Sequence, residues 1–355
     1  MGQAGAGERH LWAGKRAAGA FLPGRFMVQW GKRMEEGRTL SNTTTQDRPV
    51  CGRFAPSPSG RMHLGNLFSF YLAWLDARSV GGRVVLRMED LDPDRTGQPW
   101  TEQIVEDLRW LGLDWDEGYG VGGPDGPYCQ RGRTHLYDAA FAVLRAREAV
   151  YPCWCSRAQR LAASAPHPGE VRDLGRCPCR DLSRAEREAR AMVKAPAWKA
   201  ALPHETVRFR DLIQGEQTFD LARDCGDFIL RRADGVYGYQ LAVTVDDALM
   251  GVTRVVRGRD LLDSAARQIW LMEQLGHRPP VYAHVPLLMA EDGRRLSKRE
   301  RDLDMGVLRT RHTPASLRAL LRGLAGVDAA DRTSESFDVE KVTKEDIKVD
   351  ISKLI

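Results

Sequence analysis

The sequence has no long apolar run and contains little cysteine. No stretch approaches the roughly 18 uninterrupted apolar residues of a membrane span, which argues against an integral membrane protein. Seven cysteines among 355 residues are too few for a disulfide-built scaffold. The net charge of +5 permits a nucleic-acid partner but does not require one. The remaining composition, 43% hydrophobic and 28% charged, is typical of a globular protein with a buried core.

The two ends of the chain differ from its middle. Residues 1–48 carry eight Lys/Arg against four Asp/Glu, show no sustained periodicity and contain no serine before Ser41, which argues against a transit peptide. We expect a disordered extension, or a start codon placed too early, with Met27 and Met34 as internal alternatives. Residues 331–355 carry five basic and seven acidic residues, and 346–351 predict a short strand without a clear role. Since the ends contribute +4 and −2, the middle carries only +3, and RNA binding would need a local basic face.

Strand and helix patterns alternate between these ends. Apolar or β-branched runs predict strands at 50–55 and 83–88, and helical periodicity predicts helices at 66–79, 101–111 and 137–148. Thr101 is expected to cap the second of these helices. The alternation predicts an α/β fold with a doubly wound parallel sheet.

The first chemical motif is the proline-rich turn at 53–66, which leaves a strand and enters a helix. The helix N-terminus offers unpaired N–H groups and the positive end of a dipole, which suit a phosphate. His63 and Asn66, three residues apart, can face one ligand, and Gly65 allows a close approach of the backbone. The structural alternative is a proline-rich turn with a helix-capping histidine.

The second motif is the basic run at 294–299, which follows a strand-like run at 285–289 and an Asp-Gly turn. Lys298 in this loop could reach the oxygens of a polyphosphate and stabilise charge in a transition state. Taken alone, the run is better explained as a solvated basic loop. Its pairing with the first motif, some 230 residues earlier, favours the functional interpretation.

Together these motifs resemble the signatures of class I aminoacyl-tRNA synthetases. His63–Asn66 (HLGN) is similar to the HIGH motif, and Arg295–Arg299 (RLSKR) is similar to KMSKS. The runs at 87–92, 239–247 and 256–262 resemble segments of the glutamyl type, in the same order. The resemblance implies a Rossmann-type catalytic domain in two parts, 49–150 and 226–300. An acceptor-binding and zinc subdomain would be inserted at 151–225, with a short helical stem-contact region at 301–330 and the tail at 331–355.

The resemblance also implies the substrates and the residues that bind them. The amino-acid substrate of the family, glutamate, carries two carboxylates and an ammonium, so its site needs cations and an anion. The glutamate site is expected to comprise Arg53, Phe54, Ala55, Pro56, Ser57, Glu89, Tyr239 and Arg257. ATP, with Mg²⁺, is expected at His63, Gly65, Asn66, Ser297 and Lys298, of which His63, Asn66 and Lys298 are the catalytic residues. Each of these residues alone could be an ordinary ion pair or core residue. The adjacent Asp246 and Asp247 could suggest a metal, but we expect them to order the tRNA acceptor end or the loop before Arg257.

Four cysteines, Cys153, Cys155, Cys177 and Cys179, fall within 27 residues and suit a structural, tetrahedral Zn²⁺. The related glutamyl-queuosine enzymes have a tyrosine four residues before the last cysteine, where this chain has Gly175. We expect Cys177 to take the place of that tyrosine. The alternative is a group of four reduced structural cysteines.

Length indicates a branch of the family. Only 56 residues follow Arg299, including one predicted helix at 313–324, which is too little for a helical anticodon-binding region. The chain therefore resembles the truncated branch that activates glutamate with ATP and attaches it to queuosine in the anticodon of tRNA(Asp). The resemblance implies a cytoplasmic enzyme without a membrane partner, and we expect a monomer. The alternatives are a fragment that charges a tRNA 3′ end and a non-catalytic, zinc-bearing RNA-binding module.

Overall fold

The computed structural model describes residues 48–94, 96–155, 177–294, 296, 303–327 and 337–350. The helices are α1 Leu64–Ser79, α2 Gln98–Leu111, α3 Thr134–Ala146, α4 Arg184–Val193, α5 Tyr239–Leu249, α6 Leu262–Gln274, α7 Met305–Arg311 and α8 Pro314–Leu324. The strands are β1 Cys51–Phe54, β2 Arg83–Leu86, β3 Glu117–Gly118, β4 Val150–Cys153, β5 Ala197–Ala200, β6 Thr206–Asp211, β7 Gly215–Asp220, β8 Ile229–Arg231, β9 Arg254–Gly258, β10 Val281–Val285, β11 Leu288–Ala290 and β12 Ile347–Val349. In this part of the chain, no helix is long and apolar enough to cross a membrane.

Parallel strands form the centre of the fold, as predicted. β1, β2 and β3 form one parallel sheet, in which Phe54 lies opposite Leu86. β9, β10 and β6 are parallel in a second sheet, which the antiparallel β7 extends. Next to β9, the backbone N–H of Thr253 donates to the carbonyl of Cys51 (3.0 Å), which joins this sheet to β1. The result is a Rossmann-like arrangement in which the carboxyl ends of β1, β2, β9 and β10 approach one another.

Two local predictions were wrong, both because of proline. Helix α2 begins at Gln98 after Gly97, so Thr101 lies inside the helix and donates to the Gly97 carbonyl (3.4 Å) instead of capping it. Pro99 suits the first turn because that position needs no hydrogen-bonded N–H. The run at 285–289 is not one strand, because β10 ends at Val285 and β11 begins at Leu288. Pro286 cannot donate to a ladder between them.

A smaller antiparallel sheet, ordered β4–β5–β8, carries the cysteines. Tyr151 and Cys153 on β4 pack with Cys177 and Cys179 in a small core of their own. The third strand of this sheet lies at 229–231, past the residue 225 at which we expected the subdomain to end.

Residues 337–350, the described part of the tail, belong to the folded domain. The strand expected within 346–351 is confirmed as β12, which pairs in parallel with β11. Phe337, Val339, Val342 and Val349 are buried in the main hydrophobic core. Asp346 accepts a hydrogen bond from the backbone N–H of Leu287 (2.8 Å) and pairs with Arg259 (2.8 Å). The tail therefore holds the chain segment that enters β11.

Candidate active site

A cavity of about 430 Å³ lies at the carboxyl ends of β1, β2, β9 and β10. This is where an open parallel sheet binds its ligands. Most of the predicted site residues line it: Arg53, Ala55, Pro56, Ser57, His63, Gly65, Asn66, Glu89, Tyr239 and Arg257. Residues from both halves of the chain, separated by the cysteine-bearing sheet in sequence, therefore meet at one site.

Three predicted residues are not placed in the cavity lining. Phe54 is fully buried in the hydrophobic core, where its ring packs on Phe70 with centroids 5.6 Å apart. Its position on β1 explains this, because alternate side chains of a strand point to opposite faces. Ser297 and Lys298 lie outside the described residues. Leu296, immediately before them, lines the cavity.

The first motif combines its two interpretations. His63 is the N-cap of α1, and its Nδ1 accepts a hydrogen bond from the Gly65 N–H (3.2 Å). The Asn66 Oδ1 accepts in return from the His63 N–H (3.3 Å), which completes a capping box. Since Nδ1 is an acceptor, the neutral imidazole carries its proton on Nε2. A Cβ atom at Gly65 would lie only 3.1 Å from the His63 ring. The capping contact is therefore a second reason why glycine is needed at this position.

A network of buried ion pairs lies beside the cavity and reaches it at Glu89. Arg87 is fully buried and contacts Asp247 (2.7 Å), Glu89 (3.3 Å) and Asp246 (3.6 Å). Burial alone would lower the pKa of Arg87, but these carboxylates raise it. The network ties the end of β2 to α5, which lies some 160 residues later.

Of the two roles expected of Asp246 and Asp247, ordering the loop before Arg257 is supported, because the Val252 N–H donates to the Asp247 carbonyl (2.9 Å). Their side chains do not support the other role, contact with RNA. Asp246 is fully buried and accepts hydrogen bonds from Gln130 (2.9 Å), Arg133 (2.5 Å) and Tyr137 (2.9 Å). Asp247 is occupied by Arg87. Because both carboxylates are buried and paired with protein cations, they serve the packing of the domain. They are not available to order RNA or bind a metal.

Glu89 is one of two acidic residues that line the cavity, the other being Asp260. The backbone N–H of Glu89 donates to the Pro56 carbonyl (2.9 Å), which fixes it against the first motif. Burial raises the pKa of its carboxyl group, and the neighbouring Arg87 and Arg53 oppose that shift. A substrate ammonium beside Glu89 would add another favourable charge to this carboxylate.

Of the three arginines that line the cavity, Arg53, Arg61 and Arg257, two are buried. Arg53 is buried and donates from Nη1 to the Val256 carbonyl (3.1 Å), while its Nε lies 3.9 Å from Asp247. Burial lowers the pKa of Arg53, and Asp247 opposes this shift. Arg257 at the end of β9 is also buried, and Tyr239 at the start of α5 brings a phenolic hydroxyl to the same cavity. Burial raises the pKa of this tyrosine, which keeps its hydroxyl protonated as a donor.

The four predicted cysteines come together. Their Sγ atoms all lie within 4.8 Å of one another, with separations of 3.7 Å for Cys153–Cys177 and Cys155–Cys177 and 3.6 Å for Cys155–Cys179. Four sulfurs bound tetrahedrally at about 2.3 Å would be about 3.8 Å apart. The donor set therefore fits a metal ion, and Cys177 lies where a fourth ligand is needed. This group is the one such cluster that the described ranges contain.

Sequence reasoning missed the buried polar residues behind the cavity. Asp211, Gln268 and His284 lie on β6, α6 and β10 and form a chain of hydrogen bonds that ends on Arg257. None of them lies within a recognisable motif. Only the three-dimensional packing of these elements brings them together.

Known proteins share both the sequence and the fold. The family model for the catalytic domain of class I tRNA synthetases (E and Q) matches residues 49–354. The chain is 50% identical to a glutamyl-Q tRNA(Asp) synthetase of Symbiobacterium thermophilum, over 84% of this chain and 96% of the relative. It is 49% identical to one of Nitratidesulfovibrio vulgaris, over 78% and 87%.

A solved structure agrees with this assignment. The glutamate-tRNA synthetase of Elizabethkingia anophelis superimposes with a TM-score of 0.75 at 25% identity, over 86% of this chain and 69% of that one. The likeness to this structure thus extends over most of the chain. The chain belongs to the class I tRNA synthetases for glutamate and glutamine, in the group of the glutamyl-Q tRNA(Asp) synthetases.

Proposed function

We propose that the protein uses ATP to activate L-glutamate as glutamyl-adenylate and transfers the glutamate to queuosine at the wobble position of tRNA(Asp). The observation that carries this proposal is the cavity, which the buried Arg53 and Arg257 and the half-buried Glu89 line together with residues at the N-terminus of α1. Two cations and one anion match the two carboxylates and the ammonium of glutamate. Two relatives align with this chain over most of their own length, and both are named glutamyl-Q tRNA(Asp) synthetases. These names support queuosine as the acceptor.

In the first step, an oxygen of the glutamate α-carboxylate attacks the α-phosphorus of ATP. The bond from that phosphorus to the bridging oxygen breaks, and pyrophosphate leaves. Arg53 and Arg257 hold the carboxylates, and Glu89 holds the ammonium. The Nε2–H of His63 and the N-terminus of α1 stabilise the phosphate charge, together with Lys298 by its resemblance to the family motif. Mg²⁺, bound with the nucleotide, neutralises further phosphate charge.

In the second step, a hydroxyl oxygen of the queuosine ring attacks the activated carbonyl carbon. The bond from that carbon to the phosphate oxygen breaks, AMP leaves, and the hydroxyl proton is lost. Since the adenylate is already reactive, the protein contributes mainly by positioning the reactants. This explains a site built from rigid strand ends and a helix terminus.

One assay tests this function. The protein is incubated with ATP, Mg²⁺ and labelled glutamate, together with tRNA(Asp) that contains or lacks queuosine, or with tRNA(Glu). We expect label only on the queuosine-containing tRNA(Asp). Label on the 3′ end of tRNA(Glu) would instead identify a fragment of a glutamyl-tRNA synthetase. A protein that forms neither adenylate nor labelled tRNA would be a binding module, and the proposal would fail.

We propose that the four cysteines hold a structural Zn²⁺. With four protein sulfurs as ligands, no position stays open for substrate, so the ion would tie β4 to the chain around Cys177 and Cys179. The ligands would bind as thiolates, whose charge the metal compensates. We also propose that the protein works in the cytoplasm, with ATP and tRNA as its soluble partners, and that it acts as a monomer.

Replacing Cys177 with serine is expected to remove most of the bound zinc and to lower the melting temperature, because a metal site contributes directly to folding. Zinc per chain is measured by mass spectrometry of the purified protein, and melting by calorimetry. Cys129→Ser is the matched control, since Cys129 is an isolated, half-buried cysteine outside the cluster. Equal zinc content in both variants would contradict the proposed site.

A further inference from the structure

The guanidinium of Arg257 is held on three sides. Its Nε donates to the Nε2 of His284 (3.0 Å), its Nη1 to the Oε1 of Gln268 (2.8 Å) and its Nη2 to the carbonyl of Leu261 (3.2 Å). One face also stacks on the ring of Tyr282, with 5.3 Å from Cζ to the ring centroid. A guanidinium has five N–H groups, so one N–H remains on each terminal nitrogen. Each of these N–H groups can donate a charge-assisted hydrogen bond to a carboxylate oxygen of a ligand in the cavity, which Arg257 lines.

His284 must be neutral and in one tautomer to make this contact. It is fully buried, and its Nε2 can accept from Arg257 only when that nitrogen carries no proton. The ring proton therefore lies on Nδ1, 2.6 Å from the Oδ2 of Asp211. Burial lowers the pKa of His284 to about 4, although the bond to Asp211 opposes this shift, so the imidazole is neutral at pH 7.

Asp211 is in turn committed to its partners. Its Oδ1 accepts from the backbone N–H groups of Ile213 (3.0 Å), Gln214 (2.8 Å) and His284 (3.1 Å). Burial would raise the pKa of Asp211, but its hydrogen bonds, led by that of His284, lower it. The carboxylate thus stays ionised, and its Oδ2 accepts from the Nδ1–H of the His284 ring (2.6 Å) and, more weakly, from the His284 backbone N–H (3.2 Å).

We propose that Asp211 and His284 are positioning residues that fix the tautomer and the plane on which Arg257 depends, so that its two remaining N–H groups meet a carboxylate of the amino-acid substrate. This inference rests on the proposed function, because it takes glutamate as the ligand of Arg257. Neither residue lines the cavity, so both act through Arg257.

The substitution Asp211→Asn separates this role from simple packing. The three backbone N–H groups that donate to Oδ1 of Asp211 still need an acceptor in the variant, so the amide oxygen of the asparagine must take the Oδ1 position. Its NH₂ group must then face Nδ1 of His284 and donate to it, which moves the ring proton to Nε2. Two N–H groups, those of His284 and Arg257, would then point at each other, and the guanidinium would have to turn.

We expect Asp211→Asn to raise the KM for glutamate in ATP–pyrophosphate exchange by about tenfold or more while the KM for ATP changes less than about twofold, since only the amino-acid contacts are misaligned. His284→Leu should have the same effect. His284→Gln should restore part of the affinity for glutamate, because its amide oxygen can accept from Arg257. The matched control is Asp220→Asn on the neighbouring β7, which bonds to the backbone of Arg223 and should leave both KM values unchanged.

Equal increases in the two KM values, or no increase in either, would overturn the proposal. Should the variants fail to fold, as judged by near-UV circular dichroism, the wild-type protein gives an independent answer. Nitrogen-15 NMR of the histidine rings must show His284 with its proton on Nδ1, and a proton on Nε2 would overturn the proposal. A wild-type protein without glutamate-dependent exchange would instead refute the proposed function, while the NMR measurement would still test the hydrogen-bond chain.

Discussion

Replacing Arg53 with methionine is expected to lower kcat/KM for glutamate in pyrophosphate exchange by about 10²-fold or more, because hydrogen bonds to charged groups contribute about 1.5–3 kcal/mol each and a bidentate pair has two. Arg53 lies at the end of β1 inside the cavity and carries one of its two buried cations. Methionine has a similar length and keeps the apolar packing of the side chain. The exchange rate is measured against glutamate concentration at saturating ATP.

Arg208→Met is the control for this experiment. Arg208 is an exposed arginine on β6 outside the cavity, so the same change of charge and shape should leave exchange unaltered. An Arg53→Met protein with normal kcat/KM for glutamate would show that this arginine does not bind the substrate. A normal kcat/KM for glutamate with a raised KM for ATP would place Arg53 on the nucleotide instead.

Replacing Asp246 with alanine is expected to destabilise the protein by about 3–5 kcal/mol, the cost of leaving buried charges without their partner. Arg133 and Arg87 are both fully buried, and Asp246 is a carboxylate that they share. The free energy of unfolding is measured by urea denaturation followed by circular dichroism. Asp247 remains beside Arg87, so the loss should come mainly from Arg133.

Asp234→Ala provides the comparison. Asp234 pairs with Arg232 at the surface, where its side chain is half exposed, and such pairs contribute about 0–1 kcal/mol. Equal unfolding free energies for the two variants would contradict a structural role for Asp246. A stable Asp246→Ala protein that loses only transfer to tRNA would return this residue to the RNA-ordering role that we first expected.

The sequence was sufficient for the parts of the site that lie in contiguous motifs. The run from Arg53 to Asn66 contains a strand end, a turn and a helix start, so its local chemistry already predicted a phosphate-facing loop beside the cavity. The cysteine cluster could also be predicted from the sequence, because two closely spaced pairs of cysteines indicate a common metal site even across an intervening segment. In both cases neighbouring residues in the sequence are neighbours in space.

The sequence was not sufficient where the site depends on packing between distant elements. His284 in the middle of β10 looks like any residue of a buried strand, and its role follows only from Asp211 on one side and Arg257 on the other. Asp246 and Asp247 were expected to order the tRNA acceptor end or the loop before Arg257, but the arginines that pair with their carboxylates come from other parts of the chain. Even the start of α2 depended on Pro99, whose fixed backbone angle outweighed the capping preference of threonine.

The network of buried ion pairs beside the cavity also determines when the core can form during synthesis of the chain. Arg87 leaves the ribosome 160 residues before Asp247, and Arg133 leaves it 113 residues before Asp246. At about 5–20 residues per second, the two arginines wait on the order of ten seconds for their carboxylates. Glu89 can pair with Arg87 early, but Arg133 has its carboxylate partner only on α5, so the first half of the nascent chain cannot complete its core until α5 has emerged. The nascent enzyme is therefore expected to depend on chaperones most strongly in that interval, and a pause in translation between β2 and α5 would prolong it.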